Sequence, residues 1–284
     1  MRILKALLLA LASVAALAAE APLPETPFEL LDERSRPADR FTQGLYFDGE
    51  RWWESSGLYR RSWLAEYTDP GGNPLRRKWL AENRFAEGLS VHGDKLYLLT
   101  YRAGELQVYR RKDLAPVNKL GYSGEGWGLA SDGEQLIMSD GSGELTFRNP
   151  ETFEVERRVK VHGGGEEWTR LNELEYVRGL IWANIWQDTR IIAIDPASGE
   201  VRGLVDLQTL APERRHPDVV ANGIAWDEKR NGLWVTGKYW PALYLIRPRG
   251  LGFDAPGTRS SSSASGTNAE LELRVPGVSR DRHQ

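Results

Sequence analysis

The chain of 284 residues contains no cysteine, which excludes a lipid-modified cysteine and a disulfide framework. Histidine is scarce, and His92, His162, His216 and His283 include no two at metal-ligand spacing, so a zinc site of the His/Glu type has no ligands. There is no Gly-x-Ser-x-Gly elbow, and with cysteine also missing the usual nucleophilic triads have no candidate. No basic run or stripe interrupts a chain of formal charge −3, which argues against a nucleic-acid partner. No window holds a sustained helical period, so a helical solenoid is excluded. Long apolar runs are missing too, except from Ala6 to Leu17. Arg2 and Lys5 precede that run and Ala16-Leu17-Ala18 follows it, so residues 1–19 read as a secretory signal peptide, too short for a stable membrane anchor. The expected product is a soluble periplasmic or secreted protein of about 260 residues, with a charge near −5 once Arg2 and Lys5 are gone.

What the chain has in quantity is a repeat. Phe41-Thr42-Gln43-Gly44-Leu45 and Phe85-Ala86-Glu87-Gly88-Leu89 are two copies, and Gly126-Trp127-Gly128-Leu129, Asn172-Glu173-Leu174 and Asn222-Gly223-Ile224 are three more. The closing apolar residues are spaced by 44, 40, 45 and 50 positions. Such a period belongs to a solenoid, a propeller or an array. Each copy opens a strand, a Gly- or Asp-rich turn follows, and three further strands precede the next copy. Four antiparallel strands in each of five repeats predict an all-β, five-bladed β-propeller over residues 20–257. Phe28 to Ser35 stands where a fourth strand stands elsewhere, so it is expected to complete the last blade and close the ring. Leu271 to Val275 is the competing closing strand. Ser260 to Gly266 reads as a flexible linker within a tail, 258–284.

In a blade, the start of the first strand and the end of the second meet at one face. Gln43, Glu87, Trp127, Asn172 and Asn222 therefore converge with Ser56, Tyr101, Asp140, Trp186 and Lys238 on one mouth of the central channel. Polar groups converging between flat aromatic walls describe a small-ligand pocket. Competing readings exist for most of them. Gln43, Asn172 and Asn222 can instead bond strand-end backbone, Trp127 and Trp186 can pack between blades, and Asp140 lies in a turn sequence. Glu87 and Lys238 resist that treatment, because charges at a crowded axis need partners or a ligand. The loop Leu207 to Val220 causes the longest spacing and can overhang the mouth.

Taken in order, Phe41 to Leu45, Glu54-Ser-Ser-Gly-Leu-Tyr59, Phe85 to Leu89, Glu125-Gly-Trp-Gly-Leu129 and Ser139-Asp-Gly-Ser142 resemble the plant and bacterial type of glutaminyl-peptide cyclotransferase. Leu171 to Tyr176, Ala183-Asn-Ile-Trp186, Asn222 to Asp227 and Thr236-Gly-Lys-Tyr-Trp-Pro241 continue the resemblance. It implies a secreted five-bladed propeller that cyclises N-terminal glutamine of peptides or proteins to pyroglutamate and releases ammonia. By motif, Glu87 corresponds to the catalytic acid/base. Phe41, Gln43, Trp127, Asn172, Trp186 and Lys238 correspond to the pocket around it, with Asn172 and Lys238 the candidates to polarise the amide oxygen. Tyr101 stands where the family usually has Trp, which puts substrate fit at that wall in question. No metal or other cofactor is expected in the chemistry. The resemblance leaves room for a structural cation such as calcium, although no dedicated loop for one is visible. A monomer is expected. Two other functions stay open at this point, a calcium-dependent lactonase-like propeller hydrolase and a non-catalytic peptide-binding propeller.

Overall fold

In a computed structural model, residues 21–213 and 215–253 are described, and the account below concerns these. The signal peptide read at 1–19, the tail at 258–284 and the competing strand Leu271 to Val275 lie outside them. Twenty strands form five four-stranded antiparallel sheets. Blade 1 comprises β2 (Thr42–Phe47), β3 (Trp52–Ser56), β4 (Trp63–Tyr67) and β5 (Arg76–Trp79). Blade 2 comprises β6 (Ala86–His92), β7 (Lys95–Thr100), β8 (Glu105–Arg110) and β9 (Ala115–Gly121). Blade 3 is β10 (Leu129–Ser131), β11 (Leu136–Met138), β12 (Glu144–Arg148) and β13 (Val155–Lys160). Blade 4 is β14 (Leu171–Val177), β15 (Leu180–Ile185), β16 (Arg190–Ile194) and β17 (Val201–Asp206). Blade 5 takes β18 (Ala221–Asp227), β19 (Gly232–Gly237) and β20 (Ala242–Pro248) from the end of the fold and β1 (Phe28–Ser35) from its start. The pairing of β1 with β20 runs antiparallel from Phe28↔Pro248 to Ser35↔Ala242, so the closing strand is the one expected.

Five separate apolar cores lie between the blades, and strand alternation builds them. Successive residues of a strand point to opposite faces. On β3, Trp52 enters the core shared with blade 5, beside Trp234, while Trp53 enters the core shared with blade 2, beside Leu64 and Leu89. On β15, Ile181 and Trp182 divide in the same way between the neighbours of blade 4. A propeller strand buried on both faces therefore reads as a continuous apolar run, as Leu96-Tyr97-Leu98-Leu99 does.

The inner strands crowd at the axis. A Cβ on Gly128 would lie 1.9 Å from the Asn172 carbonyl oxygen, and one on Gly88 would lie 2.5 Å from the Leu129 nitrogen. Glycine at this repeat position thus allows backbone to approach backbone. Gly44, Gly88, Gly128 and Gly223 hold the place in four blades, and in blade 4 the residue is Glu173. Its carboxylate accepts hydrogen bonds from Leu45 N at 3.2 Å and Ile224 N at 2.8 Å. One side chain of blade 4 thereby ties the inner strands of blades 1 and 5 together.

Candidate active site

The inner strands do not enter their sheets regularly. On β6, Ala86 pairs with Thr100 and Leu89 with Leu98, so Glu87 and Gly88 together oppose Leu99 alone. The same extra residue appears on β14, at Asn172-Glu173, and on β18, at Asn222-Gly223. On β2 the register slips between Thr42 and Gly44, leaving Gln43 unpaired. A bulge re-aims the side chain it carries. Four bulges at one level of the ring thus gather polar side chains at one channel mouth, and Trp127 arrives there on the segment leading into β10.

The mouth encloses a cavity of about 220 Å³ lined by Phe41, Gln43, Phe85, Glu87, Tyr101, Trp127, Asn172, Trp186, Asp218 and Lys238. All eight site residues expected from the sequence lie in it. Three of the other mouth positions do not. Ser56 turns its hydroxyl to accept from Phe41 N at 3.1 Å. Asp140 caps its own turn by accepting from Ser142 N at 3.0 Å. The Asn222 amide donates to the Thr42 carbonyl at 2.9 Å and to Gln43 Oε1 at 3.3 Å, so it secures blade 5 to blade 1 and orients Gln43.

Two lining residues were missed. Phe85 stands four positions before Leu89, as Phe41 stands before Leu45, so the repeat itself carried the signal. Asp218 comes from the Leu207 to Val220 loop that the long repeat spacing had marked as able to overhang the mouth, although nothing singled out Asp218 within it.

The walls are aromatic. Trp127 and Trp186 meet edge to face at 5.8 Å, and Phe85 touches Phe41 at 6.0 Å and Tyr101 at 5.7 Å. Trp127 donates its indole N–H to Glu125 at 3.0 Å, and Arg102 donates to the same carboxylate at 2.8 Å while lying over the Tyr101 ring. Both Trp127 and Tyr101 are thus steadied from outside the pocket.

Within those walls sit two acids, Glu87 and Asp218, one amine, Lys238, and two amides, Gln43 and Asn172. Burial pushes the Glu87 carboxyl well above its ordinary pKa, Lys238 partly opposes that rise, and Glu125 adds to it. Burial likewise lowers the Lys238 ammonium to about 8, against the pull of Glu87 and Asp218. The ammonium lies 4.7 Å over the Phe41 ring. Asn172 Oδ1 is buried without a hydrogen-bond partner among the described residues. An acid and a base with their pKa values drawn towards neutrality, in an aromatic cleft, form a site equipped for proton transfer. Among the described residues, no three His, Asp or Glu side chains cluster as metal ligands would.

Fold and site together define a five-bladed propeller with a small acid-lysine pocket at one mouth. The glutamine cyclotransferase family model matches residues 3–247. The glutaminyl-peptide cyclotransferase of Arabidopsis thaliana is 35% identical over 225 residues, spanning 77% of this chain and 70% of that relative. The crystal structure of Myxococcus xanthus glutaminyl cyclase matches with a TM-score of 0.73 at 34% identity, covering 80% of this chain and 97% of the other. The chain belongs to the glutamine cyclotransferase family.

Proposed function

We propose that this chain is a glutaminyl-peptide cyclotransferase, converting N-terminal glutamine to pyroglutamate with loss of ammonia, and that Glu87 moves the protons. The observation that carries the reading is a buried glutamate and a buried lysine facing one aromatic cavity of about 220 Å³ in a member of this family. The α-amine and the side-chain amide carbonyl of glutamine are already tethered, so the protein must fold the substrate back on itself and manage protons. As the α-nitrogen bonds to the amide carbon, ionised Glu87 accepts the proton that the nitrogen sheds. As the bond to the amide nitrogen breaks, Glu87 returns that proton and ammonia leaves. An ordinary glutamate is roughly three units more acidic than an α-amine. Burial narrows that gap, which suits a group that must both take and give.

Lys238 and Asn172 supply charge and dipole to the oxygen that becomes an oxyanion in between, a contribution of about 3 kcal/mol per donor. Trp127, Trp186, Phe85 and Tyr101 close around the glutamine methylenes and exclude water. The chemistry needs no metal in this reading, and a zinc chelator should leave turnover unchanged. The leader read at residues 1–19 would deliver the protein to a periplasm or the exterior, where N-termini of exported peptides are the available substrates. Incubation with Gln-Ala-Ala-amide, followed by mass spectrometry for a loss of ammonia, tests the activity. No conversion by the purified protein would end the reading.

A further inference from the structure

A second cavity, of about 290 Å³, shares a wall with the first. Phe41 and Gln43 line one side, Arg40, Ser56 and Gly57 the other. The wall is thin because Gly57 has no side chain: a Cβ there would lie 2.3 Å from the Phe85 ring and 3.1 Å from Gln43 Cγ.

The second cavity is basic. Arg40, Arg61 and Arg77 line it against a single acid, Asp39, and with Arg40 committed to Glu54 the two remaining arginines still outnumber that acid, in a chain whose formal charge is −3. Behind the wall, Arg36 and Arg40 both bond the buried Glu54 carboxylate at 3.0 Å, so that acid is already shared by two guanidinium groups. Arg61 and Arg77 have no carboxylate within 4.0 Å among the described residues, and both are exposed. The Arg77 guanidinium carbon lies over two indoles, 5.0 Å from the Trp63 ring centre and 5.5 Å from that of Trp79, and Trp79 remains 59% exposed. Stacking steadies a guanidinium that no carboxylate neutralises.

A larger basic cavity of about 530 Å³ shows what a satisfied cluster looks like. There Arg76 bonds Glu66, Arg111 bonds Asp48 and Arg110 bonds Asp113. Those three arginines each hold a carboxylate, whereas Arg61 and Arg77 do not.

We infer that the cavity around Arg61 and Arg77 is a subsite for the residues following the N-terminal glutamine, and that it selects peptides carrying a carboxylate there. The inference rests on the proposed cyclotransferase reading. A peptide whose first residue fills the Glu87 pocket continues at about 3.5 Å per residue, so the second or third side chain is the one that crosses the wall at Gly57. Because both arginines face solvent, the attraction is a screened Coulomb effect, modest in size and sensitive to salt.

Turnover of Gln-Ala-Ala-amide, with Glu or Lys placed in turn at the second or third position, tests this. Expected is a kcat/KM ratio of Glu- over Lys-peptide of about tenfold at low ionic strength, shrinking several-fold in 0.5 M salt. In the Arg61→Ala, Arg77→Ala double variant the ratio should fall towards one. A ratio within twofold for the unaltered protein at both positions overturns the subsite. So does a ratio that survives the double variant. If the neutral peptide itself is not converted, the cyclotransferase reading fails and the subsite falls with it, a result distinct from conversion without charge preference.

Discussion

In blade 2 the bulged pair at the head of the inner strand is Glu87-Gly88; in blade 4 it is Asn172-Glu173. Each pair contains one glutamate, shifted by a single residue, and the shift decides its use. Glu87 occupies the first bulge position and faces the pocket, where its carboxyl has no hydrogen-bond donor among the described residues. Glu173 occupies the second and faces the axis, where Leu45 N and Ile224 N each donate to one of its oxygens. Burial raises the pKa of both carboxyl groups well above the ordinary range. Buried acids are therefore not equivalent. The one whose oxygens are already committed serves the ring, and the one left unpaired is free for chemistry.

The sharpest way to break this contrast is the same substitution at both positions. Glu87→Gln keeps size and hydrogen-bonding reach but cannot accept and return a proton. We expect kcat to fall by about 10³- to 10⁴-fold, with KM and stability little changed. An effect confined to KM would show that Glu87 only anchors the substrate ammonium. Lys238→Met should cost about 10²-fold in kcat and change the pH profile in a defined direction. Lys238 holds Glu87 down against burial, so its loss lets the Glu87 pKa climb. The rising limb of kcat/KM, which requires ionised Glu87, should then move to higher pH, and an unmoved limb would mean the two charges do not couple.

At the axis the expected change is in stability. Gln at position 173 keeps one oxygen to accept one backbone N–H, but its amide meets the other N–H donor to donor. Leaving a buried donor unsatisfied costs about 2 kcal/mol, read by urea unfolding. Catalysis per folded molecule should fall far less than in Glu87→Gln. Equal stability of the two variants would remove the distinction between them.

Much of this architecture was legible before any coordinates. Four strands in each of five repeats are found as expected, because apolar runs bounded by turn residues fix them locally. The closing strand was legible by position in the repeat. The bulges were not, since an extra residue on one strand has meaning only against its partner's register. For the same reason nothing in the sequence marked Glu173 as the group that ties the inner strands together at the axis. Trp127 and Trp186 carried packing between blades as a competing reading. That task falls instead to Trp52, Trp53, Trp182 and Trp234, which lie within strands and are buried between blades, whereas Trp127 and Trp186 lie just outside strand ends and line the pocket. Asp218 reaches the pocket from the loop that the longest repeat spacing had marked, but the spacing could not say which of its residues enters.

A smaller effect sharpens the comparison further along blade 4. Glu175, two residues beyond Glu173, accepts from Trp226 N at 3.1 Å, and burial outweighs that bond, pushing its carboxyl up to about 8. The folded chain therefore holds this proton over a range in which the unfolded chain, with an ordinary glutamate, has released it. The resulting stability is complete below the unfolded pKa, declines as pH rises above it, and is gone once pH passes about 8. Glu175→Gln is neutral at every pH, and its carbonyl oxygen can still accept the Trp226 N–H. The variant should match the parent protein in urea unfolding near pH 4.5 and become the more stable of the two by pH 8. One pKa unit corresponds to about 1.4 kcal/mol, and water admitted to the channel reduces the sum, so a gain of about 1–2 kcal/mol between those limits is expected. A constant difference across the range would show that Glu175 ionises as it does in the unfolded chain, leaving Glu173 as the acid that the axis holds by geometry alone.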